Sequence, residues 1–302
     1  MKLLLTGAFN YTEEQRNKIE KLGFEIDFLQ FEKDEIANPE KYDAVVCNGL
    51  FLYHDVKKFT NLKFVQLTSV GMDRVPLDCI KEKGIEIHNA RGVYSAPMAE
   101  WVILKILEIY KNSFVLYENQ KNKKWIKERN LLELTDKNAL IVGTGSVGNE
   151  IAKRLKAFDC NVTGLDICEI KSPYFDNIFL MDKLDEMLSK SDIVILTLPL
   201  TDETNHLFNK DKFSLMKDGN VLVNVSRGGV LNESHLIESL QNGKFRGVAL
   251  DVFENEPLSD DSSLWNFDNV IITPHNSFVG DKVSERMFGV ICRNLKGLIL
   301  SE

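Results

Sequence analysis

Three side chains far apart along the chain could together handle a carboxylate and a proton: Arg227, Glu256 and His275. Arginine grips a carboxylate through two parallel N–H bonds and stays charged at any working pH. Histidine exchanges a proton near neutrality, and a glutamate on its second ring nitrogen fixes the tautomer and stabilises the imidazolium. Singly, each residue type has an ordinary use: a surface ion pair, a solvated turn before Pro257, a structural histidine after Thr273-Pro274. Their settings argue for a joint one. Arg227 follows Val221-Leu-Val-Asn-Val-Ser226 and precedes Gly228-Gly229, Glu256 lies in Asp251-Val-Phe-Glu-Asn-Glu-Pro-Leu258, and His275 sits in Ile272-Thr-Pro-His-Asn-Ser277. All three fall just past predicted strands on one edge of one sheet, where ligands of parallel sheets bind.

The stretch Asn138-Ala-Leu-Ile-Val-Gly-Thr-Gly-Ser-Val-Gly148 supplies a second pattern, this one contiguous. Residues 139–142 form an apolar run of the kind buried on both faces of a parallel sheet. Gly143, Gly145 and Gly148 follow at the spacing of the dinucleotide-binding fingerprint: a tight turn at the first, close backbone approach to a pyrophosphate at the second, helix against strand at the third. Glycine-rich turns are common, so context decides. Ile151, Ala152, Leu155 and Phe158 recur at helical spacing, so the loop opens a helix whose N-terminus can hold phosphate. The next strand, Asn161-Val-Thr-Gly-Leu-Asp166, ends in a carboxylate about 20 residues beyond the fingerprint, placed to accept ribose hydroxyls. A carboxylate there repels a 2′-phosphate and favours NAD over NADP; Lys171, close by in sequence, acts the other way. Carboxylate anchor, proton donor, orienter and dinucleotide together are what reduction of a 2-keto acid requires.

A chain of 302 residues lies where single cores stop growing, so two domains are expected. Up to about residue 95, apolar runs at 2–5, 24–29, 44–47, 64–68 and 85–88 alternate with helical segments. One of these helices is opened by the capping box Thr12-Glu-Glu-Gln15 and ends near Gly23; another, 75–83, is closed by Gly84. The alternation describes a small doubly wound α/β domain. Loops Asn48-Gly-Leu-Phe-Leu-Tyr53 and Ser69-Val-Gly-Met-Asp73 follow two of its strands. Residues 98–110, just after Pro97, form a helix too apolar around its circumference for a solvated surface, expected to be buried between domains or against a second subunit. The basic segment 121–129, with Trp125, reads as a solvated loop. Six strands then alternate with helices, at 139–142, 161–165, 193–198, 221–225, 247–250 and 270–272, and a helix over 281–300 would cross back to the first domain.

The net charge of −8 argues against nucleic acid or an anionic membrane as a general partner, since both demand a basic surface, and an anionic substrate then needs a local cation. Cys47, Cys79, Cys160, Cys168 and Cys292 are odd in number, scattered and without Cys-x-x-Cys spacing, which implies reduced thiols, a cytoplasmic setting and no metal site. The opening apolar run is too short for a signal peptide, no stretch suits a bilayer span, and there is no repeat or low-complexity extension.

Several motifs in order carry a family resemblance: Gly143-Thr-Gly-Ser-Val-Gly148, Thr197-Leu-Pro-Leu-Thr201 with Thr204, Asn224-Val-Ser-Arg-Gly-Gly229, Asp251-Val-Phe-Glu-Asn-Glu-Pro257 and Leu264-Trp-x-x-x-Asn-Val-Ile-Ile-Thr-Pro-His275. Together with Ser69-Val-Gly-Met-Asp73 and Pro97-Met-Ala-Glu100, this set resembles the NAD-dependent D-isomer-specific 2-hydroxyacid dehydrogenases over nearly the whole chain. The resemblance implies a Rossmann cofactor domain, residues 96–279, inserted in a smaller flavodoxin-like substrate domain made of 1–95 and a returning helix at 280–302. It implies that Arg227 holds the substrate carboxylate with the backbone amides of Val70 and Gly71, that His275 is the acid/base and that Glu256 is its partner. For the cofactor it implies Ser146 and Val147 at the pyrophosphate, Asp166 at the ribose, Leu198 and Thr204 on the adenosine side, Val225 among the binding residues and Asp251 at the carboxamide. It further implies a small 2-keto or 2-hydroxy acid as substrate and a homodimer through the cofactor domain.

Departures from the pattern bear on substrate identity more than on reaction type: Asn276-Ser277-Phe278 replaces a small apolar residue and glycines, and Met98 stands where valine is frequent. Leu50, Phe51, Tyr53, Tyr94 and Phe278 hint at an aromatic-lined pocket. The rival readings are an NADP-linked glyoxylate or hydroxypyruvate reductase and, from another class, an NADH-sensing binding protein resembling the C-terminal binding protein corepressors, which would need a partner groove and tails.

Overall fold

Aliphatic runs buried on both faces are the raw material of parallel sheets, and in the computed structural model, which describes residues 1–168 and 170–301, they form two of them. The chain divides into two compact units, Met1–Tyr94 with Gly280–Glu302, and Ser95–Val279.

In the first unit the strands are β1 (Lys2–Thr6), β2 (Glu25–Leu29), β3 (Ala44–Cys47), β4 (Phe64–Leu67) and β5 (Glu86–His88). They pair in parallel in the order β2-β1-β3-β4-β5, the flavodoxin-like arrangement. Alternate residues of a strand fill opposite layers. Leu3 and Leu5 pack with Met287, Ile291 and Leu295 of the last helix, while Leu4 joins Val45, Val65 and Leu67 on the other face. The helices are α1 (Glu13–Glu20), α2 (Leu77–Glu82) and the last one, α9 (Val283–Ser301). Thr12 caps α1: its hydroxyl accepts from Gln15 N at 3.2 Å and the Gln15 side chain accepts from Thr12 N at 3.0 Å. α9 is fastened by Asn294 Nδ2 donating to Gln66 Oε1 at 2.7 Å and by Arg286 Nε donating to Val93 O at 2.8 Å.

The second unit runs α3 (Ser95–Tyr110), α4 (Ser113–Lys121), β6 (Asn138–Val142), α5 (Ser146–Lys156), β7 (Asn161–Asp166), β8 (Asn177–Leu180), α6 (Leu184–Lys190), β9 (Ile193–Leu196), α7 (Lys210–Leu215), β10 (Asn220–Asn224), α8 (Glu233–Gln241), β11 (Phe245–Leu250) and β12 (Val270–Ile272). Its parallel sheet has the order β12-β11-β10-β9-β6-β7-β8, the dinucleotide-binding arrangement with one strand more than the six expected. The additional strand, β8, lies at the edge with most of its side chains exposed, so it carries no buried apolar run to announce it. The strand order reverses between β6 and β9, and ligands of such sheets bind outside the strand carboxyl ends at that reversal.

α3 is buried on one face within its own unit, where Ala99, Val102, Ile106 and Tyr110 pack with Ile151, Ala152 and Leu155 of α5 and with the sheet. A Cβ on Gly247 would approach the Ile109 side chain to 2.7 Å, which shows how closely β11 meets this helix. Leu104 on its outer side remains half exposed. Beyond α4 the basic segment is solvated, with Trp125 97% exposed. Among the described residues no helix is long and apolar enough to cross a membrane, and no cluster of His, Cys, Asp or Glu could hold a metal ion.

Candidate active site

The glycine loop adopts the three geometries its spacing predicts. Gly143 has φ +105°, a conformation that side-chain-bearing residues rarely adopt, and its carbonyl accepts from Thr197 Oγ1 at 2.6 Å. A Cβ on Gly148 would sit 2.2 Å from Gly143 O, so helix and strand close up only because the side chain is absent. A Cβ on Gly145 would meet no atom within 4 Å. Gly145 is also the N-cap of α5 and provides no side-chain cap, so the first amides of the helix, at its positive end, have no side-chain cap from it. Asp166, at the end of β7, accepts from Thr144 N and Thr144 Oγ1, both at 2.7 Å, and from Ile167 N at 2.8 Å. Thr144 thus aims the carboxylate, a part that the motif's variable positions concealed. Open backbone approach, an uncapped helix start and a fixed acid fit the pyrophosphate and ribose of NAD.

The other expected cofactor residues are placed differently from one another. Leu198 and Val225 are buried, and their side chains belong to the core. Thr204 uses its hydroxyl in a tight turn, donating to Pro199 O at 2.7 Å and accepting from Thr201 N at 2.8 Å. Asp251 is 0% exposed. Its carboxylate accepts from Thr273 Oγ1, from Asn276 N at 2.8 Å and from Ser277 N at 2.9 Å, so both oxygens are committed to the loop that carries His275.

That loop needs such a hold. His275 has φ +50°, a left-handed conformation that costs a non-glycine residue on the order of 1–3 kcal/mol and persists only where its surroundings impose it. His275 Nδ1 lies 2.8 Å from Glu256 Oε2, while Glu256 Oε1 accepts from Phe253 N at 3.1 Å. With Nδ1 engaged by a carboxylate, Nε2 is the nitrogen available for proton exchange. Phe278 packs edge to face on the imidazole, ring centroids 5.9 Å apart.

Arg227 follows β10 on a turn organised by the buried Asn224, whose Oδ1 accepts from Ser226 N at 3.0 Å and whose Nδ2 donates to Arg227 O at 3.1 Å. Arg227 Nη1 donates to Ser226 O at 2.8 Å. A Cβ on the following Gly228 would lie 1.8 Å from Phe253 C and 2.3 Å from Glu254 N. The arginine turn is therefore pressed directly on the Phe253–Glu254 peptide, two residues before Glu256, and the three residues separated in sequence belong to one packed edge.

In the first unit, the loop after β4 has its carbonyls tied down, Gly71 O by Ser69 Oγ at 2.9 Å and Val70 O by Asn89 Nδ2 at 2.8 Å. Of the aromatic-pocket candidates there, Leu50 is fully buried, Phe51 stacks edge to face on Phe59 and Tyr94 donates its hydroxyl to Thr68 O. Tyr53 is exposed. In the second unit, Phe278 is exposed as well.

Comparison with known proteins agrees with this architecture. Residues 103–277 match the family described as D-isomer specific 2-hydroxyacid dehydrogenase, NAD binding domain. The chain is 32% identical to a D-3-phosphoglycerate dehydrogenase of Methanocaldococcus jannaschii over 85% of its own length and 50% of that protein's. It thus spans about half the length of that curated relative. It is 33% identical to a hydroxypyruvate reductase of Thermotoga maritima, covering 83% of each chain. Among solved structures, D-lactate dehydrogenase from Aquifex aeolicus, complexed with NAD and lactic acid, superposes with a TM-score of 0.80 at 28% identity, covering 99% of this chain and 96% of that one. With this fold, an NAD-binding domain and relatives of this kind, the chain belongs to the D-isomer-specific 2-hydroxyacid dehydrogenase family.

Proposed function

We propose that the protein interconverts a small 2-keto acid and its D-2-hydroxy acid, with His275 as acid/base, Glu256 as its partner and Arg227 as the carboxylate anchor. The observation that carries this reading is the 2.8 Å contact between Glu256 Oε2 and His275 Nδ1, on a loop held in a left-handed turn by the buried Asp251. Bound NADH, at the glycine loop and Asp166, would supply the hydride. His275 Nε2 donates the proton to the carbonyl oxygen, and Glu256 stabilises the imidazolium that precedes the transfer. Arg227 fixes the substrate through paired N–H bonds and stabilises charge developing on the oxygen. Reduction consumes a proton held by the histidine, so it is expected to slow as pH rises while oxidation speeds up.

Asp166 supports NAD over NADP, because a carboxylate held at the end of β7 would repel a 2′-phosphate there. We also propose a homodimer through the second unit. Its support is a shallow groove of Ile103, Leu104, Leu107, Ala157 and Phe158, edged by the Glu100–Arg154 ion pair, together with α4, which buries no residue although four of its nine residues are apolar or aromatic in Phe114-Val-Leu-Tyr117.

The test is a panel of 2-keto acids offered with NADH and, separately, with NADPH. Glyoxylate, pyruvate and hydroxypyruvate are the first members, since proteins similar to this chain carry the names glyoxylate reductase, D-lactate dehydrogenase and hydroxypyruvate reductase. Turnover of at least one with NADH, and slower turnover with NADPH, is expected. Absence of turnover across the panel would sink the reading.

A further inference from the structure

Glu254 has no place in that reaction, yet three segments of the second unit meet at it. The first, around Thr204, is stitched to the segment after Arg227 by His206 N donating to Gly229 O at 2.7 Å and Phe208 N donating to Val230 O at 3.1 Å. The second segment is bonded to the third by a reciprocal pair: Glu233 N donates to Glu254 Oε1 at 2.8 Å, and Glu254 N donates to Glu233 Oε1 at 2.6 Å. The third side of the triangle is a polar contact, His206 Nε2 to Glu254 Oε1 at 3.1 Å, with Asn232 Nδ2 3.4 Å from the other imidazole nitrogen. His206 has φ +49°, so the residue that closes the triangle is itself held in the left-handed region.

Glu254 is two residues from Glu256 in sequence, and the peptide between Phe253 and Glu254 is the one pressed on Gly228. Phe253 N is in turn the donor to Glu256 Oε1, whose sister oxygen holds His275. A shift at Glu254 is therefore passed on to the His275 ring in two bonded steps. A polar contact at a half-exposed histidine contributes little to folding; its value here is geometric.

We propose that Glu254, braced by Glu233 and His206, is a positioning residue for the Glu256–His275 pair, and that it couples the loop around Thr204 to the reacting end of the site. This rests on the acid/base reading above. In the full chain, Glu254→Ala is expected to lower kcat for reduction about 10-fold while KM for the 2-keto acid stays within about two-fold. Glu254→Gln, whose amide oxygen still accepts from Glu233 N, is expected to restore most of kcat. Melting temperature is measured alongside: loss of kcat at constant Tm, rescued by glutamine, supports the brace. Wild-type kcat in Glu254→Ala overturns it, and so does a loss of kcat that follows Tm in both variants. If Glu254→Ala does not fold, His206→Ala carries the same test, with a loss of about three-fold restored by His206→Gln; wild-type kcat in His206→Ala overturns the proposal. His275→Gln separates the two possible failures. If it abolishes reduction while Glu254→Ala does not, only the brace falls; if it retains reduction, the acid assignment falls and the brace with it.

Discussion

The glycine loop between β6 and α5 and the edge beyond β10, β11 and β12, where the proposed acid/base pair lies, are both built from backbone turns, but they are made rigid in opposite ways. In the loop, the left-handed position is occupied by Gly143, and the close approach of helix to strand by Gly148; the unusual geometry is written into the residues that adopt it. At the edge beyond β10, β11 and β12 the left-handed positions belong to His206 and His275, each of which has a side chain bonded to a glutamate and so cannot be replaced by glycine without losing that bond. Their conformations are imposed from outside, by Asp251, Glu254 and Glu233. The glycine loop is thus local in sequence, whereas the edge around His275 is a tertiary construction. A mutation should accordingly act through the ligand in the first and through neighbouring loops in the second.

The largest expected effect tests the edge around His275 at its centre. His275→Gln keeps a hydrogen-bonding side chain beside Glu256 but cannot deliver a proton at neutral pH, and should cost reduction 10²–10⁴-fold, on the order of what general acid catalysis contributes. NADH affinity, measured by fluorescence titration, should hold. A variant retaining more than about a tenth of the wild-type rate would show that the proton comes from elsewhere.

Next in size is Asp251→Asn, which asks whether that residue acts on the cofactor or on the loop. With its carboxylate buried and engaged by Thr273, Asn276 and Ser277, one amide nitrogen of the asparagine would face a donor, a mismatch worth about 1–3 kcal/mol. Displacement of the His275 loop should lower kcat by about 10²-fold with KM for NADH nearly constant. A rise in KM for NADH at constant kcat would instead return Asp251 to the carboxamide role that the resemblance implies.

The contrast between the regions also explains what could be read from the sequence. The sheets were legible because parallel strands are uninterrupted aliphatic runs, as in Ile193–Leu196, and the glycine loop because each glycine has one steric task. Arg227, Glu256 and His275 stood out by type and by position after strands, and the structure packs their turns together. The residues that hold them did not stand out. Asp251 directly follows a strand and resembles a ligand contact until its three donors are seen; Glu233 looks like an acidic residue in a helix's first turn, and Glu254 like a solvated loop acid. Their partners lie 20 or more residues away, and pairing at that distance leaves no periodic trace. The edge strand β8 was hidden for the related reason that exposure removes the apolar pattern.

Two glycine variants sharpen the local side of the contrast, at a smaller scale. Gly145→Ala adds a methyl group into open space and should leave Tm unchanged, while weakening NADH binding about 10-fold by displacing the pyrophosphate from the loop amides. Gly148→Ala places its methyl 2.2 Å from Gly143 O and should destabilise the unit by about 2 kcal/mol, the usual range for overpacking. Equal losses of Tm in the two would mean that the space over Gly145 has a structural use and not a ligand-binding one.

The smallest effect runs the other way, toward stability, and belongs to the edge around His275. Burial holds the Glu233 carboxyl above the ordinary carboxylate range and the charge of Glu254 adds to this, against the bond from Glu254 N that lowers it. A raised folded-state pKa means the native protein binds that proton more tightly than the unfolded chain, so the contribution to stability is present at acid pH and lost as pH rises through the folded value. At neutral pH Glu233 is then less favourable than a neutral residue of the same shape. Glu233→Gln keeps an acceptor for Glu254 N and should raise Tm by about 1–2 °C near neutrality, a small gain because the group is only partly withdrawn from water. The gain should shrink as pH falls below the ordinary carboxylate range, where wild-type Glu233 is protonated in both states. Melting curves of the two proteins across that interval decide it: a Tm difference that grows toward acid pH would mean that the ionised carboxylate stabilises the edge, and that the pair of glutamates is held by charge and not by the reciprocal backbone bonds.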